Sequence, residues 1–186
     1  MRHILERTAI ALVVVISIVL VLAVTRPDTY EVRRTASIKA PPERIFPLIN
    51  DLHAFNTWNP YEKKDPSIRG RYTGAASGKG AAYAFEGSKE VGKGSLEIVH
   101  SSPVRRVTMN LRMLAPVEAS NVVDFVLEPA GDGTDVTWAM HGRVPYLARV
   151  VHLFVDVDDM VGRDFEAGLA TLKGIVESPQ VAARTN

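Results

Sequence analysis

Hydrophobic and polar positions follow three rhythms along this chain. Residues 9–24, AIALVVVISIVLVLAV, form an apolar run in which Ser17 is the one polar member. A helix buried in a globular core keeps a polar stripe, and this run has none. With Thr8 and Thr25 it nears the lower limit for crossing a hydrocarbon core of about 30 Å, and Arg2, Arg7 and Arg26 flank it. The expectation is a retained, single-pass membrane helix. A cleaved signal peptide is the alternative, with Val21-Leu22-Ala23 as its cleavage signal, although the run exceeds the usual h-region of about 7–15 residues. Arginines lie on both sides, so the side of the membrane stays open. Residues 25–29 make a tether of at most about 18 Å, which would hold whatever follows against the bilayer.

The second rhythm has period two. Tyr30–Lys39 (YEVRRTASIK) carries enough β-branched and aromatic residues for a first strand. From Ile68 onward, Tyr83 and Phe85 share one face, as do Leu96, Ile98 and His100. Val107, Met109, Leu111 and Met113 alternate with Arg106, Thr108, Asn110 and Arg112. Val123, Phe125 and Leu127 do the same in the next segment, and Val136, Trp138 and Met140 in the one after. This pattern predicts antiparallel strands with one covered and one wet face. Asp132-Gly133 predicts a hairpin, and Ser101-Ser102-Pro103 and Ala115-Pro116 mark other turns. Seven of the thirteen glycines fall between Gly70 and Gly94, which points to bulges and curvature.

The third rhythm is helical. Ala40-Pro41-Pro42-Glu43 is a helix start, followed by Ile45, Phe46, Leu48, Ile49 and Leu52 at helical spacing, with Pro47 expected to kink or shorten the helix. Phe165, Leu169, Leu172 and Val176 form one stripe near the end of the chain, and Pro179 closes it. The order is strand, short helical segment, about six strands, long helix. The fold class is therefore α+β, a curved antiparallel sheet wrapped around the C-terminal helix. Such a sheet cannot touch a straight cylinder everywhere, so an apolar cavity is expected between them.

Composition narrows the function. A hydrophobic content of 46% excludes a disordered chain. A formal net charge of +1 gives no long-range field that would select nucleic acid, so none is expected as a partner. The chain has no cysteine, which excludes disulfides, thiolate chemistry and Cys-ligated metals.

Four stretches carry a resemblance: SIKAPPERIFPLINDLHAFNTWNPY (37–61), GKGSLEIVHSSPVRRV (92–107), FVLEPAGDGTDVTWAMHG (125–142) and GRDFEAGLATLKGIVE (162–177). In order and spacing the chain resembles the START-like helix-grip superfamily (SRPBCC), in its polyketide cyclase/dehydrase and lipid-transport branch, and its membrane-anchored subgroup. The resemblance covers about residues 30–178, leaving 1–29 as anchor and tether and 179–186 as a disordered tail. It implies a deep apolar pocket that takes a lipid or other hydrophobic small molecule, with no shared catalytic motif and no cofactor. A pocket enzyme of cyclase or dehydratase type and a non-binding interaction domain are the alternatives.

The candidate pocket residues are Trp58 and Tyr61 from the aromatic stretch, and Tyr83, Phe85, Leu96, Ile98, His100, Met109, Leu111, Phe125, Trp138 and Met140 from the inward faces of the strands. Phe165 and Leu169 of the last helix complete the set. For Trp58 the competing reading is core packing, and for His100 exposure at a strand end. His152 and Asp156, spaced i, i+4, lack a third ligand and predict no metal site. Asp164 and Glu166 read as helix-surface charge, and Glu62-Lys63-Lys64-Asp65 as a solvated turn. Gly74–Gly80 has the wrong spacing for a phosphate loop, and Gly92-Lys93-Gly94-Ser95 runs into a strand. The pocket mouth is expected at the apolar, non-strand segments Leu114-Ala115-Pro116-Val117 and Tyr146-Leu147 through Val150, Leu153 and Phe154.

Overall fold

The computed structural model of the chain describes residues 2–25, 27–151, 153 and 156–178, with the backbone alone at 2–6, 9, 16, 147 and 151. The expected disordered tail 179–186, His152 and Phe154 lie outside the described residues. The apolar run forms part of α1 (Arg2–Thr25), and its described large side chains are mostly exposed. Among the described residues no helix is long and apolar enough to cross a membrane. The expected spanning helix is therefore not found there; Ala9 and Ile16, two members of the run, are outside the described side chains.

After α1 come β1 (Thr29–Ile38), α2 (Pro42–Asn50), α3 (Leu52–Asn56) and α4 (Pro60–Lys64). Six strands follow: β2 (Arg69–Gly74), β3 (Ala81–Glu86), β4 (Lys93–Ser102), β5 (Arg106–Ala115), β6 (Ala119–Ala130) and β7 (Gly133–Arg143). Then α5 (Tyr146–Val151) leads to α6 (Val157–Glu177). All strands join one antiparallel sheet in the order β1-β7-β6-β5-β4-β3-β2. The helices α2–α4 thus carry the chain from one sheet edge to the other. The meander then returns to β1, and α6 closes the concave face.

Local chemistry sets the helix ends. Pro42 occupies the first turn of α2, where a missing N–H costs nothing. Pro47 sits inside α2, and the helix ends three residues later. Asp51 restarts the chain as α3, its carboxylate accepting the His53 N–H at 2.8 Å. Asn59 caps α4. Asp156 caps α6 by accepting the Asp159 N–H at 3.0 Å.

The alternation predicted for the strands matches the burial: Val107 and Met109 are enclosed while Arg106 and Asn110 are exposed. Two local readings change. The β6–β7 turn is Gly131-Asp132, with Gly131 at φ 59° and Ala130 opposite Gly133; Gly133 opens β7 so closely against the Ile38 carbonyl that a Cβ would collide with it. On β4 the register shifts between Ile98 and His100, so His100 stands opposite the outward Thr108 instead of Val107. One extra residue turns the imidazole to the wet face. Residues 75–80 join β2 to β3, so a strand and not a helix follows them.

The core fills only part of the groove. Ile45, Ile49, Leu52, Phe55 and Trp58 from the α2–α3 region descend onto Ile98, Val107, Phe125 and Val136 of the sheet and Leu169, Leu172 and Val176 of α6. The other end of the groove has no such plug.

Candidate functional site

The unplugged end is a cavity of about 560 Å³. Its floor is apolar and comes from the inward faces of β3–β7, chiefly Tyr83, Phe85, Leu96, Met109, Leu111, Met113, Val123, Trp138 and Met140. The start of α6 roofs it with Met160, Val161, Asp164 and Phe165. Phe55, Asn59, Tyr61, Glu62 and Lys64 close one side, and Ile68, Glu90 and Val91 complete the wall. Residues 140–142 of β7 pair with 121–123 of β6 and with 30–32 of β1, so this is the end of the sheet where β1 begins, next to the end of α1.

Nine sequence-predicted residues line this cavity: Tyr61, Tyr83, Phe85, Leu96, Met109, Leu111, Trp138, Met140 and Phe165. Five do not. Ile98, Phe125 and Leu169 are at most 1% exposed in the packed half of the core, and His100 faces outward because of the β4 bulge. Trp58 is fully buried. Its indole N–H donates to the Leu48 carbonyl at 2.9 Å, and its ring meets Phe55, Phe125 and Trp138 edge-on at 4.9, 5.8 and 5.6 Å. Trp58 is the plug beside the pocket.

The expected mouth segments are corrected as well. Leu114 and Ala115 belong to β5, and among the described side chains none of 114–117, 146, 148–150 or 153 lines the cavity. Tyr146 turns instead to α1, its hydroxyl donating to the Leu20 carbonyl at 2.9 Å. The side chain of Leu147 is outside the described set.

Charge enters the cavity wall in two phenol–carboxylate pairs. Tyr83 donates to Glu62 Oε1 at 2.5 Å, and burial first, then this bond, pushes its hydroxyl pKa up. Tyr61 is pushed up too, by burial first and then by Asp164. Both phenols therefore keep their protons at neutral pH. Lys64 Nζ lies 2.6 Å from Asp164 Oδ1 and 5.3 Å from the Tyr61 ring centroid, tying α4 to α6. Sequence reasoning took Glu62, Lys64 and Asp164 for solvated charge. A readable signal existed for Asp164: it precedes Phe165 and follows Val161 by three, which puts it beside the apolar stripe. No cluster able to hold a metal ion occurs among the described residues.

A curved antiparallel sheet gripping a long C-terminal helix, with an apolar cavity between them, defines a helix-grip domain with room for a hydrophobic guest. By sequence, residues 29–177 match the family described as polyketide cyclase / dehydrase and lipid transport, and the chain belongs to it. Solved structures share the fold. Protein CV1439 from Chromobacterium violaceum is 19% identical, with a TM-score of 0.57 over 82% of this chain and 99% of that one. Protein TTHA0849 from Thermus thermophilus is 20% identical, with a TM-score of 0.56 over 84% and 100%. The dimeric Aha1 of Colwellia psychrerythraea is 16% identical, with a TM-score of 0.56 over 80% and 96%. No curated protein matches the chain.

Proposed function

We propose that this protein binds a hydrophobic small molecule or lipid in the cavity under α6 and does so at a membrane surface. The observation that carries the binding reading is the cavity itself: about 560 Å³ floored by apolar side chains, within the range of small-molecule sites. A non-binding domain would fill this space, because a void leaves its lining without packing partners. An apolar guest gains roughly 25 cal/mol for each Å² removed from water. Titrating the full chain with decanol is expected to give saturable one-to-one binding with a negative heat-capacity change. Absence of saturable binding of decanol or any other apolar probe would remove the reading.

Support for the membrane context comes from the run 9–24 and from where apolar surface is left exposed. Leu114, Val117, Tyr146 and Met160 are exposed at the end of β5, on the β5–β6 turn, on α5 and at the start of α6, at the cavity end of the sheet. Residues 9–24 would hold that end against lipid, so a guest could exchange without crossing bulk water. Cell fractionation checks this: the full chain should sediment with membranes, and a chain lacking residues 1–25 should not. Equal behaviour of the two would exclude anchoring by this segment.

One observation favours a second reading, a pocket enzyme of cyclase or dehydratase type. Tyr61 and Tyr83 are phenols held beside the Asp164 and Glu62 carboxylates on the cavity wall, an arrangement in which a carboxylate takes a proton from a bound guest while the neighbouring phenol holds that carboxylate in place. Under that reading Tyr83→Phe abolishes turnover while sparing affinity; under the binding reading it changes affinity alone.

A further inference from the structure

The chain has no cysteine, so methionine holds all of its sulfur. Of its five methionines, every one after Met1 lies on the wall of the cavity: Met109, Met113, Met140 and Met160. A wall that needed only apolar surface would be served as well by the leucine, isoleucine and valine that the packed half of the core uses. Methionine differs from them in two ways. Its unbranched thioether adapts to an irregular space, and its sulfur takes oxygen from peroxides.

The four side chains are graded by access. Met160, in the first turn of α6, is 52% exposed, and Met113 on β5 is half-buried. Met140 is 8% exposed and Met109 fully enclosed, on either side of Val123 in one row of the sheet. Met160 and Met113 are therefore the sulfurs that an oxidant from solvent reaches first, with Lys64 and Glu90 as exposed neighbours on the same wall. Met113 also borders an aromatic ring. A Cβ at Gly94 would lie 3.2 Å from Met113 Sδ and 2.9 Å from Phe85 Cζ, so sulfur and ring approach each other over that glycine. Such a contact favours the soft thioether, whereas a sulfoxide oxygen covered by an apolar guest would lose its hydrogen bonds to water.

Resting on the reading that the cavity holds a hydrophobic guest, we propose that Met160 and Met113 are modification sites for peroxides, and that their oxidation to sulfoxides releases the guest. The step is an oxygen transfer. A sulfur lone pair attacks the outer peroxide oxygen, the O–O bond breaks and an S–O bond forms. Sulfur is oxidised by two electrons and the peroxide reduced by two. The proton of the transferred oxygen ends on the leaving oxygen, which departs as water from hydrogen peroxide or as an alcohol from an organic hydroperoxide. A guest lying over Met113 keeps the oxidant away, so occupancy and oxidation oppose each other.

The test uses the full chain in nanodiscs of saturated phosphatidylcholine, treated with hydrogen peroxide in the presence and absence of decanol. Peptide mass mapping reports which methionine has gained oxygen, and calorimetry reports decanol affinity. Met160 and Met113 are expected to gain oxygen before Met140 and Met109, and decanol should slow the reaction at Met113. The oxidised chain should bind decanol at least about fivefold more weakly, the cost of covering one unpaired polar group. Methionine sulfoxide reductases A and B, one for each sulfoxide epimer, should restore the affinity. The double variant Met113→Leu with Met160→Leu should keep after peroxide whatever affinity it has before. Unchanged affinity in the oxidised chain, or an equal loss in the double variant, would overturn the proposal and leave the hydrophobic pocket standing. A loss that the reductases do not reverse, although they remove the oxygens, would overturn it too, and this arm decides even where the double variant folds poorly. An untreated chain that binds no apolar probe removes the binding reading and the proposal with it.

Discussion

Trp58 and Tyr61 lie three residues apart in one aromatic stretch, yet burial gives them different work. The backbone carbonyl of Leu48 takes the Trp58 indole, so this ring is structural. Trp58→Phe should lower the unfolding free energy by about 1–3 kcal/mol, through the stranded carbonyl and lost packing. Urea unfolding reads that loss, and decanol affinity should stay within about twofold because the ring is off the cavity wall. Asp65 offers a pH test at the same scale. Its carboxylate accepts the Ser67 hydroxyl at 2.5 Å, the Ser67 N–H at 2.9 Å and the Ser88 N–H at 2.5 Å, and its pKa is pulled down to about 2, by the Ser67 hydroxyl most. An unfolded aspartate titrates near 3.9. The folded state therefore favours the charged form, and the stabilisation is complete above about pH 4 and lost as pH falls toward 2. Asp65→Asn should flatten the stability profile in that window; an unchanged slope there would show that other carboxylates control it.

Among the elements, α6 carries three glycines with three different surroundings. A methyl at Gly174 would meet nothing within 4 Å, so Gly174→Ala should stabilise by up to about 1 kcal/mol through helix propensity. At Gly162 a Cβ would land on the Arg34 guanidinium, which bonds Asp158 at 3.0 Å and Glu166 at 2.7 Å. Solvent-exposed pairs of this kind are worth about 0.2–1 kcal/mol, so gain and loss should nearly cancel in Gly162→Ala. At Gly168 the obstacles are Trp138 and Pro60, which cannot swing away, and Gly168→Ala should cost about 1–3 kcal/mol. Thermal unfolding of the three variants should rank them in that order.

This scale also shows what the sequence could reveal. The stripe Phe165, Leu169, Leu172 and Val176 and the alternation of β5–β7 are set by period alone, and they specify the sheet face and the helix that meet. Period does not say where along a strand the groove is filled. Ile98 and Met109 alternate alike, but the α2–α3 crossover covers Ile98 and leaves Met109 on the cavity. Neither is the β4 bulge visible, so His100 reads as inward. Lys64 and Asp164 are 100 residues apart and look like surface charge until α4 meets α6. Asn121 was readable in part, since it shares the inward phase of Val123, Phe125 and Leu127.

For the molecule as a whole, the groove is divided: α2 and α3 plug one end, and the other end remains hollow beside the start of β1. That division explains why some inward residues are core and others wall. Leu111→Trp places a large ring on the cavity floor while leaving the plug untouched, and its half-buried position gives the ring room to enter. The direct measurement is native mass spectrometry of the purified full chain beside this variant, each with and without added decanol. The unaltered chain is expected to carry one apolar guest, whether co-purified or taken up from decanol, and the variant none, with both equally folded by circular dichroism. A bare unaltered chain that takes up no decanol, or equal occupancy in both proteins, would contradict a ligand site in this cavity.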